Sequence, residues 1–170
     1  MFAVGTWNLE NLYRAGTEFG PKTQAAYDQK LDTLAATMEV LAPDVLAVQE
    51  VGQPAALDDL VQRLSGSWTT TLSAHPDPRG IRVGFLSRSA PTTSTEIVAF
   101  PQVLQPVQIG DAPADRTTVM GRGGLHIHLQ VDGAGWDLIT VHLKSKLLPT
   151  RVGASTPSTR TNAPGSAATR

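Results

Sequence analysis

Two polar side chains that could bind a metal ion each follow an apolar, strand-like segment. Asn8 comes directly after Phe2–Trp7, and Glu50 comes directly after Asp44–Gln49. A carboxylate at the end of a buried strand suits Mg²⁺, which takes few carboxylates and keeps water ligands for substrate phosphates. An asparagine amide can orient a phosphate or a ligand carboxylate. The alternatives are a solvated glutamate and an asparagine that caps a turn; for Asn8 taken alone, turn capping is the preferred interpretation.

Basic side chains that could contact a phosphate lie elsewhere in the chain. His142 stands near the end of the strand-like run Trp136–Leu143, with Lys144 two residues later. Such a pair can donate hydrogen bonds to a non-bridging phosphate oxygen as charge develops on it. Arg82, and with it Arg79, could also face an anion, although an arginine on a half-exposed strand is more often structural. An isolated histidine is likewise more often a hydrogen-bonded structural residue.

The elements that must position these side chains alternate between helix and strand. Apolar residues recur at helical spacing in Lys22–Leu41 and again in Ala55–Leu64. Asn8–Pro21 is expected to be a loop, and Gln102–Arg116 an exposed connection. Segments rich in Val, Ile, Thr and Phe predict strands at Phe2–Trp7, Asp44–Gln49, Ser67–Ala74, Ile81–Ser87, Thr93–Phe100, Leu125–Val131 and Trp136–Leu143.

Composition restricts the class of protein. The 170 residues carry 14 Lys and Arg against 15 Asp and Glu, a formal net charge of -1, which excludes a strongly basic nucleic-acid coat. The absence of cysteine excludes a disulfide scaffold, thiolate zinc and a cysteine nucleophile. There are four histidines, and His126 and His128 alternate with apolar residues on the polar face of a strand. A metal ion would therefore be held mainly by oxygen ligands, which favours Mg²⁺ or Mn²⁺.

The two ends of the sequence give further expectations. The N-terminus has no signal-peptide pattern, and no run approaches the roughly 20 apolar residues of a membrane span, so we expect a cytoplasmic protein without a membrane span. Pro149–Arg170 contains no acidic and no aromatic residue and is predicted to be disordered. Its composition is typical of GC-rich coding sequence read out of frame, which suggests a frameshift near Leu148; a natural flexible tail is the alternative. The domain is predicted to span 1–148 and the tail 149–170.

Four short motifs occur in order along the chain. Together they resemble the endonuclease/exonuclease/phosphatase superfamily, the DNase I-like group of metal-dependent phosphoesterases, from Val4 to about Leu148. The resemblance implies a four-layer α/β sandwich, with two packed sheets, helices outside them and the active site at one end. The motifs are Thr6-Trp7-Asn8, Val48-Gln49-Glu50-Val51, Gly80-Ile81-Arg82-Val83-Gly84 and Val141-His142-Leu143-Lys144.

The resemblance also implies roles for individual residues. Asn8 and Glu50 take the places of the family's metal-site Asn and Glu, and His142 takes that of a phosphate-contacting His, so Asn8 and His142 would be catalytic. Lys144 and Arg82, on the residue chemistry alone, would contact the substrate phosphate. In the family, a water attacks phosphorus in line while the divalent metal and these donors neutralise the developing charge. The implied partner is a phosphoester substrate, with nucleic acid among the options.

Two motifs of the family pattern, Gly-Asp-x-Asn and Ser-Asp-His, do not occur in this sequence. Because those residues bind metal and activate the water, we expect this chain to be nearly inactive and to form an incomplete, N-terminal part of the fold. We also expect it to leave the inner face of its sheet uncovered, and hence to be marginally stable. Three interpretations follow: a nuclease or other phosphoesterase, a non-catalytic module that binds phosphate ligands, or one half of a split enzyme completed by a second polypeptide.

Overall fold

In the computed structural model, which describes residues 1–110 and 112–143, the chain forms two β-sheets, a two-stranded ribbon and two α-helices. The first sheet has the strand order β1-β2-β4-β3, and the second has the order β5-β8-β9. Lys144 and the predicted tail lie outside the described residues. The strands are β1 (Val4–Leu12), β2 (Val45–Val51), β3 (Thr69–Leu72), β4 (Arg82–Ser87), β5 (Thr93–Ala99), β6 (Val107–Gln108), β7 (Arg116–Thr117), β8 (Val119–Val131) and β9 (Ala134–Thr140); the helices are α1 (Gln24–Leu41) and α2 (Pro54–Val61).

Helix α1 has clear start and stop signals. The Thr23 hydroxyl accepts a hydrogen bond from the Ala26 N–H at 3.2 Å and so caps the first turn. At the other end Ala42 adopts a left-handed conformation, and its N–H donates to the Met38 carbonyl before Pro43 stops the helix. Between these ends, residues at helical spacing are buried on one face, as the sequence predicts. In the described part of the chain, neither helix has the length and apolar character that crossing a bilayer requires.

Strand β2 is apolar on both faces because it separates two cores. Leu46 and Val48 face the helices and join a cluster with residues of α1 and α2. Val45 and Ala47 face the other way and pack in a second cluster, between the two sheets. This arrangement explains why β2 shows a continuous apolar run instead of alternation.

The second sheet packs one face on the first sheet and exposes the other. Its Ile127 and Leu129 are fully buried against Phe85 of β4. The intervening His126 and His128 lie on the opposite face, where both rings contact the exposed Asp137 carboxylate. The prediction that these histidines occupy a polar face is confirmed. Together with the helices, the two sheets provide three layers of the expected four-layer sandwich.

The expectation of an uncovered inner sheet face is wrong. Both sheets are built from the described residues, and their inner faces cover one another through the cluster that contains Val83, Phe85 and Leu125. The reason is topological, because β5, β8 and β9 return over β2 and β4 instead of extending the first sheet.

Several predicted boundaries also need correction. Strand β1 continues to Leu12, into the segment expected to be a loop, because it resumes pairing with β2 after an irregularity that begins at Asn8. Strand β8 begins at Val119, where it pairs with Ala99, and not at Leu125. The connection 102–116 is not wholly irregular, since it contains a 3₁₀ turn and strand β6 of the ribbon.

Phe85 offers a test of the core between the sheets. Its side chain is 1% exposed, so Phe85→Ala should lower the free energy of unfolding by about 3–5 kcal/mol, through lost burial and the cavity left behind. Urea unfolding followed by circular dichroism measures this loss. The matched control is Phe19→Ala, whose ring is 39% exposed and should cost about 1 kcal/mol or less. Equal losses for the two variants would contradict the placement of Phe85.

Candidate active site

The parallel pairing of β1 and β2 places Asn8 and Glu50 at the same end of the first sheet. Asn8 is paired with Gln49, the residue before Glu50. The Asn8 side-chain oxygen accepts a hydrogen bond from the Glu10 N–H at 2.9 Å, so the residue does cap a turn. One Glu50 oxygen accepts from the Asn11 N–H at 2.9 Å. Both predicted metal ligands therefore lie at the same end of the first sheet, and each accepts a hydrogen bond from a backbone N–H at the end of β1.

His142 joins this pair from the second sheet. It follows β9, and its Nε2 lies 3.7 Å from Oε1 of Glu50. Its Nδ1 is buried and has no hydrogen-bond partner among the described residues. Burial lowers the pKa of His142 below 6.5, the Arg122 guanidinium lowers it further, and Glu50 opposes both effects. This shift favours the neutral imidazole, which has one N–H to donate.

A side-chain bridge fixes the distance between the two sheets directly beneath the site. The Gln49 amide nitrogen donates to the Thr6 hydroxyl of β1 at 3.0 Å and to the Thr140 hydroxyl of β9 at 3.1 Å. Thr140 is 4% exposed whereas Thr6 is exposed, so the bridge runs from the solvent-facing edge of β1 to the buried end of β9. Gln49 thereby sets where β9 ends relative to Glu50.

Arg122 lies beside His142 and was not recognised in the sequence. Its Nε donates to Asp77 at 3.0 Å, and its NH1 lies 3.5 Å from the His142 carbonyl oxygen. The Arg122 and Asp77 side chains are only 12% and 9% exposed. Arg122 stands between Gly121 and Gly123 in β8, and this arginine among glycines is the signal that could have identified it.

The other two predicted phosphate contacts occupy different positions. Arg82 pairs with Val51, the residue after Glu50, and its guanidinium donates to the Gly80 carbonyl at 2.9 Å. Lys144 lies outside the described residues, two positions after His142. These positions do not test whether Arg82 or Lys144 contacts a substrate phosphate.

Tyr13 closes the site on the side of the loop before β4. Its hydroxyl donates to the Arg79 carbonyl at 2.7 Å. Its ring packs so closely on Gly52 that a Cβ at that position would lie 2.2 Å from the ring. Glycine at position 52 is therefore needed for Tyr13 to approach the end of β2.

The donors present fit a hard divalent cation with a single protein carboxylate. No group of three or more His, Cys, Asp or Glu side chains within residues 1–110 and 112–143 is arranged to hold a metal ion. Mg²⁺ commonly takes one or two carboxylates and keeps several waters. The Glu50 carboxylate, whose Oε1 faces the site, and the Asn8 amide match a site in which water supplies most of the metal ligands. They do not match a site that needs several protein ligands.

An open groove of about 550 Å³ leads away from Asn8 and His142, between the edge strands β1 and β9. Its apolar walls are partly exposed, with Val4 at 47% and Leu143 at 62%. The site thus stands at one end of a groove bounded by two unpaired strand edges within the described chain.

Asp77 predicts how stability near the site depends on pH. Burial raises its pKa, but hydrogen bonds from the Ile81 N–H, Arg122 and the Arg79 N–H outweigh burial and hold the pKa below 3.8. A carboxyl group with a depressed pKa stabilises the fold above its unfolded-state pKa, and this stabilisation is lost as pH falls through the folded-state pKa.

We therefore expect Asp77→Asn to lower the free energy of unfolding by about 1.5–3 kcal/mol at neutral pH, because Arg122 loses its charged acceptor. The difference from wild type should shrink below pH 3.8, where the wild-type carboxylate becomes protonated. Urea unfolding over a pH series measures both effects, with Asp58→Asn on the exposed side of α2 as the control. A difference that does not change with pH would contradict the assignment.

Several solved structures are similar to this chain, and three of them illustrate the likeness. An endonuclease/exonuclease/phosphatase family protein from Leptotrichia buccalis C-1013-b gives a TM-score of 0.56 at 16% identity, over 85% of this chain and 54% of that chain. A humanized D. rerio TDP2 with 14 mutations gives 0.57 at 19%, over 86% and 52%. The human Nocturnin catalytic domain, solved with a bound sulfate anion, gives 0.51 at 16%, over 81% and 48%.

This chain spans about half the length of those structures, and the likeness confirms the predicted DNase I-like sandwich as an incomplete one. No curated protein matches the sequence. A family model described as the Endonuclease/Exonuclease/phosphatase family matches residues 5–167. The chain therefore belongs to the endonuclease/exonuclease/phosphatase family.

Proposed function

We propose that this chain forms the metal-binding and phosphate-binding end of a divalent-metal-dependent phosphoester hydrolase, of the nuclease or phosphodiesterase type. The observation that carries the proposal is the meeting of Glu50 and His142, 3.7 Å apart, from two different sheets. Burial lowers the pKa of His142, which favours a neutral ring that donates an N–H over a structural ion pair with Glu50. Nocturnin, which is similar in fold, binds a sulfate anion, a tetrahedral group like a phosphate.

The proposed roles follow from the chemistry of each side chain. Glu50 and the Asn8 amide would hold Mg²⁺ or Mn²⁺, and the cation would neutralise charge on the phosphate oxygens. The neutral His142 would donate its N–H to a non-bridging oxygen, and Arg122 would add positive charge beside it. Lys144 and Arg82 remain proposed phosphate contacts.

Turnover needs groups that this sequence lacks. A water must be oriented and deprotonated for in-line attack, and the Gly-Asp-x-Asn and Ser-Asp-His motifs that would do so are absent. We therefore propose that this chain alone binds metal and phosphate ligands but hydrolyses phosphoesters very slowly.

Metal binding provides the direct test of the site. Glu50→Gln should weaken Mn²⁺ binding at least about ten-fold, because it removes the charged ligand. Water-proton relaxation in a Mn²⁺ titration measures this, and the matched control is Glu18→Gln in the exposed loop before α1. Equal Mn²⁺ affinity in wild type and Glu50→Gln would reject Glu50 as the ligand.

A turnover assay separates the enzyme from the non-catalytic binding module. The assay follows bis(p-nitrophenyl) phosphate in the presence of Mg²⁺, for wild type and for His142→Ala. Slow hydrolysis that depends on both Mg²⁺ and His142 would favour the enzyme. Metal binding without any turnover would favour the binding module.

The exposed groove favours one second candidate, a half of a split enzyme. Strands β1 and β9 are both sheet edges within the described chain, and unpaired apolar edges attract further strands. The completing polypeptide would carry the two absent motifs. Co-expression with such a fragment should yield a complex with Mg²⁺-dependent activity, whereas failure of the pair to associate would remove this candidate.

The groove also predicts self-association of the isolated chain. Val4→Lys should reduce association as protein concentration rises, because it places a charge on the apolar wall of the groove. Val103→Lys is the control, since Val103 is 89% exposed and lies away from the groove. Light scattering across a concentration series measures the effect, and an equal change in both variants would argue against a role for the groove.

A further inference from the structure

The backbone beside Glu50 contains an unusual concentration of left-handed residues. Five residues other than glycine have positive φ in the described chain. Two of them, Ala42 and Asp132, are explained by the end of α1 and the turn between β8 and β9. The other three are Glu10, Asn11 and Glu50, with φ of 52°, 57° and 61°. Non-glycine residues are strained in this region and persist only where surrounding contacts hold them.

Lys30 of α1 supplies such a contact. Its ammonium nitrogen lies 2.5 Å from the Glu10 carbonyl oxygen and 3.5 Å from the Asn11 carbonyl oxygen. Burial lowers the pKa of Lys30, while the charges of Glu10 and Glu50 oppose that shift. The lysine therefore gives up part of its hydration to reach two backbone carbonyls, which is unusual for a side chain that normally extends into water.

The contact continues to the proposed metal ligand. The Glu10 carbonyl that accepts from Lys30 and the Asn11 N–H that donates to Oε2 of Glu50 at 2.9 Å belong to one peptide unit. Oε1 of Glu50 is left facing His142. The left-handed turn at Glu10 and Asn11 thus fixes which carboxylate oxygen points into the site.

We propose that Lys30 is a positioning residue, which holds the left-handed turn at Glu10 and Asn11 and so orients the Glu50 carboxylate toward His142. The importance of Lys30 for metal binding rests on the proposed function. Its effect on the orientation of the Glu50 carboxylate does not depend on that function. The alternative is that Lys30 only covers the adjacent surface of β1. The two explanations predict different results when a substitution relieves the backbone strain at Asn11.

Hydrogen exchange of the Asn11 amide in the full chain, measured by NMR, tests the proposal without metal or turnover. Lys30→Met keeps much of the stem and removes the ammonium, and should speed exchange at Asn11 about ten-fold or more. Lys30→Arg keeps donors and should stay near wild type. Lys22→Met makes the same chemical change at an exposed lysine before α1 and is the matched control.

Relief of the strain gives a second, independent readout. Glycine adopts positive φ without strain, so adding Asn11→Gly to Lys30→Met should restore most of the amide protection at position 11. If Lys30→Met does not fold, Lys30→Leu, which also lacks a donor, carries the same test. Unchanged exchange in Lys30→Met, or faster exchange that Asn11→Gly does not reverse, would overturn the proposal. Because exchange needs no metal, failure of the phosphoesterase proposal would appear separately, as absent Mn²⁺ binding in wild type.

Discussion

The parallel pairing of β1 with β2 is the constraint on which the site depends. Parallel strands end at the same edge of a sheet, so Asn8 and Glu50 become neighbours although they lie far apart in the chain. A parallel pair requires a crossover connection, and here α1 provides it. The same helix carries Lys30 back to the carbonyl oxygens at the end of β1. Helix α1 therefore makes the parallel pairing possible and also supplies, through Lys30, a contact that holds the end of β1 in its conformation.

The second requirement is that the two sheets keep a fixed distance at this edge. Apolar packing between the sheets is non-directional, and it does not by itself fix the position of one strand end to within a hydrogen bond. The Gln49 amide does so, because it needs both the Thr6 and Thr140 hydroxyls at about 3 Å. Gln49 directly precedes Glu50 on β2. Gln49 therefore joins the two sheets, and the next residue along the strand faces His142.

The sequence could identify residues whose role is visible in their own segment. Glu50 and His142 follow apolar strands, and the structure brings them together; His126 and His128 alternate with buried residues and lie on an exposed face. Lys30 carried no such signal, and Arg122 carried only its position between two glycines, because the partners of both lie in distant segments of the chain. The left-handed turn was missed for the same reason, since neither Glu10 nor Asn11 is a glycine.

The incompleteness of this sandwich lies at its strand edges and in its missing outer layer, not in its core. The clusters on both sides of β2 contain side chains that are almost fully buried, among them Leu57 against the helices and Phe85 between the sheets. The exposed apolar side chains of the groove instead line the edges of β1 and β9. Glu50 and His142 remain only 18% and 22% exposed, because Tyr13, Arg122 and Asp77 enclose the site from the side away from the groove. The electrostatic environment on that side is therefore established by the described residues themselves, and the groove is the side left open to a further strand or to substrate.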